Sequence, residues 1–355
     1  MFRSTIHDLN SGFAIDHNSA ADSRAALHGV CIFVDFPNVP AAKSEHPDID
    51  FYYNLLIRDG LDVFEKISYG KLNLRVDRID QWFTMPKNDA DYGMDRVITY
   101  ETHRNYIRDA LDISCGAVDY TKYDILYIVP VHGSAVPYSP TMVAKDHPIP
   151  CGTDGKAGMG LIVTFGADMY FRRGKLFAHE NGHILGLPDL YTYEVTEGMA
   201  DCFGHIGTYD LMGLIEAMAP DYLGYSKWRL GWIDDSQVIC VKPGESDEYT
   251  LTPVETPDGA KLIVMPIDEY NGYVLEYRVP MGLDEKLPAD GLLLYRINGT
   301  AGNGRGCITV IPPEEEKLLK LSTRQPDGLI REGTSIDREG IALRSLGGGK
   351  VNITR

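Results

Sequence analysis

One short segment, Leu176 to Tyr191 (LFAHENGHILGLPDLY), constrains this chain more than any other. His179 and His183 are four residues apart, so on a helix both rings project from one face. Two neutral imidazoles at that spacing can bind one zinc ion. Glu180 follows the first histidine and lies beside such an ion, where it can take a proton from water. Gly186 comes three residues after the second histidine. Glycine adopts positive φ without a Cβ clash, so it can end the helix and turn the chain sharply. Pro188 then prevents the helix from resuming. The turn returns Asp189 toward the rings, where a carboxylate can supply a third ligand. The other source of a third ligand is a glutamate on a second helix downstream: Glu194, Glu197 or Glu216. Residues 194–208 contain Gly198, Gly204 and Gly207 and show no apolar stripe, which speaks against that helix. The bland reading of Asp189 is a turn cap. A His-Glu-x-x-His match arises by chance in about one chain per hundred of this size, and the later glycine and aspartate lower that about another hundredfold.

The chain has 355 residues, more than one hydrophobic core usually carries, so two domains are expected. A net charge of −17 repels phosphate backbones, so nucleic acid is not an expected partner. No apolar run reaches the roughly 18 residues of a membrane span, and no signal peptide is visible at the N-terminus. Six scattered cysteines, at 31, 115, 151, 202, 240 and 307, read as buried thiols, with disulfides the alternative in an exported protein. Sequons at Asn298-Gly-Thr300 and Asn352-Ile-Thr354 matter only in a eukaryotic secretory route.

Along the chain, residues 1–28 read as a polar N-terminal arm. Val30 to Phe36, Ile125 to Val131 and Leu161 to Phe165 are β-rich apolar runs expected as buried strands. Residues 50–67 have helical spacing with a break expected at Asp59-Gly60. Leu72 to Val76 and Gln81 to Thr84 are expected as two strands flanking a turn. Residues 94–113 and about 174–185 are expected helices. After Trp232 the texture becomes β-branched with frequent turn signals, as in an all-β module. The expected division is therefore arm 1–28, catalytic domain 29–235 and β-rich domain 236–355.

These residues carry a resemblance. His179 to Asp189 (HENGHILGLPD) is similar to the extended metzincin pattern, with aspartate in place of the usual third histidine. His205 to Gly213 (HIGTYDLMG) resembles a Met-turn. Together with VDFP at 34–37, SYGKL at 68–72, YSKWRLGW at 225–232, YVLEYR at 273–278 and LPADGLLLYR at 287–296, the chain resembles the immune inhibitor A family of secreted bacterial metallopeptidases over roughly residues 30–300. The resemblance implies an α+β fold: a metzincin-like zinc-peptidase domain with a twisted mixed sheet and an active-site helix, then a smaller sandwich-like all-β domain. It implies Met212 as a structural floor beneath the metal, and secretion.

The expected activity is zinc-dependent endopeptidase: one catalytic Zn2+ held by His179, His183 and Asp189, Glu180 as general base, and a protein or peptide substrate lying along an edge strand. Calcium is common among secreted proteases, but no calcium-loop pattern is present. Tyr209 is the chosen oxyanion donor, ahead of Tyr191 and Tyr193, although any one of 21 tyrosines is more often structural. His205 reads as a hydrogen-bonded loop histidine, His132 as a residue bordering the cleft at most, and Asp201 and Asp210 as partners of a ligand histidine or as turn caps. Two rivals stand beside this reading: a binding module that has lost catalysis, against which Glu180 speaks, and a metal-dependent hydrolase acting on something other than protein.

Overall fold

The computed structural model describes residues 20–151, 157–197, 199, 201–314, 328–338 and 340–355. Most of the arm expected over 1–28 lies outside them, and its last residues belong to a strand. The chain is a mixed α and β protein, and its contacts divide it into two compact units.

The first unit holds described residues 20–64 and 72–186. Its sheet contains β1 (Ala26–Asp35), β2 (Asn73–Thr84), β3 (Ile125–Pro130), β4 (Thr141–Val143) and, beyond a small hairpin of β5 (Ile149–Cys151) and β6 (Ala157–Met159), β7 (Leu161–Thr164). The strand order is β2-β1-β3-β7-β4, with only β4 antiparallel to its neighbour. β1 is buried along nearly its whole length and β3 and β7 throughout, as covered parallel strands should be. That is why their apolar runs were legible. β2 is one strand, not two around a turn: its pairing with β1 continues past Asp77-Arg78 and absorbs a bulge between Cys31 and Phe33.

The helices of this unit are α1 (Ile49–Tyr53), α2 (Asp59–Ile67, whose residues from 65 on count with the second unit), α3 (Tyr100–Ser114) and α4 (Met169–Ile184). α3 starts later than the apolar periodicity suggests. The Thr99 side chain caps it by accepting from the Thr102 amide, while Met94 packs into the core without helical structure. α1 passes into α2 through a π-type turn over Asn54–Arg58, so the break expected at Asp59-Gly60 does not occur. Gly60 is there for proximity. A Cβ on it would come within 2.6 Å of Phe177 Cβ on α4 and closer still to the Phe177 ring. Opposite, a Cβ on Gly174 would come within 2.6 Å of the Gly60 nitrogen. Two glycines thus let α2 and α4 meet closely: Gly174 lies against the backbone of Asp59-Gly60, and Gly60 against the Phe177 side chain. α4 is interrupted at Arg173 (φ 52°, ψ −137°), so the segment carrying the histidines begins at Gly174, as its sequence indicates.

The second unit holds residues 65–71 and the described part of 187–355. It contains α5 (Gly224–Arg229) and strands β8 (Val238–Cys240), β9 (Ser246–Thr250), β10 (Leu262–Pro266), β11 (Asn271–Arg278), β12 (Gly291–Asn298), β13 (Ile308–Val310), β14 (Leu329–Ile330), β15 (Ser335–Arg338), β16 (Ile341–Gly347) and β17 (Lys350–Thr354). One sheet runs β13-β12-β11-β10-β8 with β14 added to β12, and the other β15-β16-β17-β9. Leu275, Leu292 and Leu294 of the first sheet share one apolar cluster with Ile336, Leu343, Val351 and Ile353 of the second. The β-rich expectation for the C-terminal part describes its elements well.

The compact units divide at 186/187 rather than near residue 235. Residues 187–235 have little regular structure of their own, and long-range bonds tie them to the β-rich part. The Asp221 amide donates to Asp284 Oδ1 (2.9 Å), and the Gly224 amide to Glu276 Oε2 (2.7 Å). The change of texture at 235 marks a change in secondary structure, not in packing. A buried ionic network runs through the same region. Arg278, wholly buried, pairs with Glu276 (2.6 Å) and Asp284 (2.5 Å), while Lys227 pairs with Asp221 (2.7 Å). Tyr295 adds a hydroxyl to Glu276 Oε2 (2.7 Å).

All six cysteines are free, three of them buried, two half-buried, and Cys240 exposed. Among the described residues no helix is long and apolar enough to cross a membrane.

Candidate metal centre

The site is built on the stretch from Gly174 to Tyr193. Nearly every α4 residue from Gly174 to Ile184 is buried, so the helix is held from all sides. Asn181 anchors it to β3: Tyr127 donates its hydroxyl to Asn181 Oδ1 (2.6 Å), and the amide nitrogen of Asn181 returns to the Phe177 carbonyl (2.9 Å). This fixes the rotation of the helix and therefore where its two histidines point. Their rings stand nearly perpendicular with centroids 4.9 Å apart.

The helix ends as its sequence suggests. The Leu185 amide closes on the Asn181 carbonyl (3.0 Å), then the Gly186 amide on that of His183 (2.8 Å), with Gly186 at φ 86°. The turn brings Asp189 to the histidines. One ligand atom from each of His179, His183 and Asp189 lies within 4.8 Å of the others, and all three residues are buried. Among the described residues no other group of three or more such side chains could hold a metal ion. Glu194, Glu197 and Glu216 are exposed and stand outside this cluster.

Two imidazoles and a carboxylate are an ordinary donor set for zinc, and three protein donors leave a coordination position over. The residues present fit such an ion. Glu180, also buried, does not belong to the triad. Thr141 on β4 donates its hydroxyl to Glu180 Oε2 (2.7 Å). Burial pushes the Glu180 carboxyl up, against the opposing pull of His179, His183 and the Thr141 hydrogen bond. Its proton affinity is therefore greater than that of a solvated glutamate. Close by, Asp168 is buried at the start of α4, where Ser139 donates to it (2.6 Å) and Arg172 pairs with it (3.2 Å).

Beyond Gly186 the loop carrying Asp189 is held by hydrogen bonds of its own. The Leu190 amide donates to the Met212 carbonyl (3.0 Å). Asp210, at φ 97°, accepts from the Met212 and Leu223 amides (2.8 Å each), and burial pushes its carboxyl up to about 7. Asp210 therefore caps the turn carrying Met212, and Asp201 caps its own turn at the Phe203 amide (2.8 Å). His205 is half-buried, and its carbonyl accepts from the Val310 amide (2.8 Å). His132 stands against the rings of Tyr170 (4.7 Å) and His46 (5.2 Å).

Of the three tyrosines weighed, the structure brings Tyr193 to the triad. Its hydroxyl donates to Asp189 Oδ2 (2.6 Å). Tyr209 is wholly buried, with a ring carbon 2.9 Å from where a Cβ on Gly328 would stand. Thr141 and Asn303, which donates to the Tyr193 hydroxyl (2.7 Å), were not visible as site residues. Each lies far along the chain from its partner, and neither belongs to a motif. No protein-family profile and no curated protein matches the chain.

Proposed function

We propose that this chain is a zinc-dependent endopeptidase of metzincin type. The observation that carries the reading is the buried His179–His183–Asp189 cluster with Glu180 beside it on the same helix. His179 and His183 on α4 and Asp189 after the glycine turn would hold the ion. When bound, zinc supplies Lewis acidity, activating water and polarising a carbonyl. Glu180 accepts the proton of the attacking water and passes a proton to the leaving amine. Burial, which raises its proton affinity, suits a group that must take up a proton and give it back. Thr141 fixes the Glu180 carboxylate by holding one oxygen. β4 ends its sheet, so an extended peptide pairing along its outer edge would pass the residue that Thr141 holds.

The reading is supported against a binding module without catalysis by Glu180 itself, buried and held by Thr141, with no ion pair to it among the described residues. A digest of casein or gelatin tests it. We expect cleavage that stops with a chelator and returns on adding zinc. Zinc-loaded protein that leaves both substrates intact would overturn the peptidase reading.

A second outcome concerns Thr141. Thr141→Val keeps the shape but removes the donor, and a hydrogen bond to a charged group is worth about 1.5–3 kcal/mol. We expect kcat to fall by roughly tenfold with KM close to wild type, because the base loses its orientation while substrate contacts stay. An unchanged kcat would remove Thr141 from the mechanism.

A further inference from the structure

We propose that Asn303 is a positioning residue for the metal-binding carboxylate of Asp189, acting on both ends of that residue. The inference rests on the zinc reading above and adds a part of the site that lies 114 residues downstream of the ligand it serves.

Three hydrogen bonds form a closed ring. The Asp189 amide donates to Asn303 Oδ1 (2.6 Å). With Oδ1 committed to that amide, the Asn303 Nδ2 faces the other way and donates to the Tyr193 hydroxyl oxygen (2.7 Å). A phenol has one proton. Since its oxygen already receives a proton from Asn303, that of Tyr193 is directed to Asp189 Oδ2 (2.6 Å). Asn303 therefore sets the Asp189 main chain directly and its carboxylate through Tyr193. An ionised carboxylate has about four lone-pair sites, so accepting one phenol proton leaves capacity for a metal. Asp189 is 5% exposed and Asn303 8%, so the bond between the Asp189 amide and Asn303 lies out of water, where such bonds strengthen, while Tyr193 is half exposed and only its hydroxyl turns inward.

The loop that presents Asn303, between β12 and β13, is shaped to this task. The Gly304 carbonyl accepts from the Tyr193 amide (3.1 Å) and from the Thr192 hydroxyl (3.2 Å). A Cβ on Gly304 would stand 2.6 Å from Tyr193 Cγ, so only glycine lets the loop lie against that ring. An aspartate that merely capped its own turn would need neither the phenol nor the amide. Outer partners of this kind orient a ligand and typically change metal affinity by about 10–100-fold.

The test compares zinc affinity, measured by competition with a chromophoric chelator, in wild type, Asn303→Ala, Tyr193→Phe and the double variant. Melting of the zinc-free proteins is recorded in parallel. We expect each single variant to bind zinc about 10–100-fold more weakly. We expect the double variant to lose little beyond Asn303→Ala, because the tyrosine acts along the same ring. Tyr193→Phe keeps the ring that packs on Gly304, so its zinc-free melting should stay near wild type, which separates positioning from folding. Wild type that takes up zinc while Tyr193→Phe and folded Asn303→Ala match its affinity would overturn the positioning role alone. Wild type that takes up no stoichiometric zinc would overturn the zinc reading, and this inference with it.

Discussion

Glu180→Gln is expected to keep full zinc content and to lower kcat about a thousandfold, within the range ascribed to general acid–base catalysis. Glutamine has nearly the same shape and can still face Thr141, so the helix and its neighbours need not move. What disappears is the ability to take a proton. The residue is not among the three grouped metal-binding side chains, so metal uptake has no reason to change. The pair of measurements matters more than either alone. Lost turnover with lost zinc would mean that Glu180 holds the site together. Retained turnover with retained zinc would mean that another group is the base. Only lost turnover with retained zinc agrees with the proposed chemistry.

The second large effect is on stability and lies outside the metal centre. Arg278→Met removes the guanidinium from a wholly buried position between Glu276 and Asp284. Burial works against the charge of Arg278, but Glu276, Asp284, Glu255 and Asp221 outweigh it and hold its pKa well above the ordinary value. Methionine fills much of the volume but leaves those carboxylates without their cation. Breaking a buried pair by removing one partner costs about 3–5 kcal/mol. We expect a loss of that size in urea unfolding of the zinc-free protein, so that metal binding does not mask it. The consequence reaches toward the site, because Glu276 also receives the Gly224 amide and Arg278 donates to the Asp221 carbonyl (3.3 Å). A loss below about 1 kcal/mol would show that the network contributes no more than an exposed ion pair does.

The parts legible in the sequence are those where a local pattern decides the structure. Gly186 turns because nothing else at that place can adopt its φ cheaply, and Asp189 follows from the turn. β1, β3 and β7 announce themselves through unbroken apolar runs. The parts that were not legible depend on partners far away in the chain. Asp77-Arg78 reads as a turn until β1 is placed alongside. Gly60 reads as a helix breaker until Phe177 is packed against it. The 187–235 segment reads as part of the N-terminal fold until Asp284 and Glu276 accept its amides. In the sequence Tyr191, Tyr193 and Tyr209 are all candidate donors, and no local pattern separates them. Tyr193 reaches Asp189 although about half of it faces solvent, since its hydroxyl turns inward.

The glycine notch between α2 and α4 bears on which changes this lineage can tolerate. Neither Gly60 nor Gly174 supplies a functional group, yet a single added methyl at either would push apart the helices that meet there. α4 carries both histidines and Glu180, so the displacement would pass directly to them. Misplacement by about 1 Å can cost two orders of magnitude in rate. Under the proposed function, selection would therefore act on two residues that lie outside the His179–His183–Asp189 cluster, and replacement of either by a larger residue should be rare.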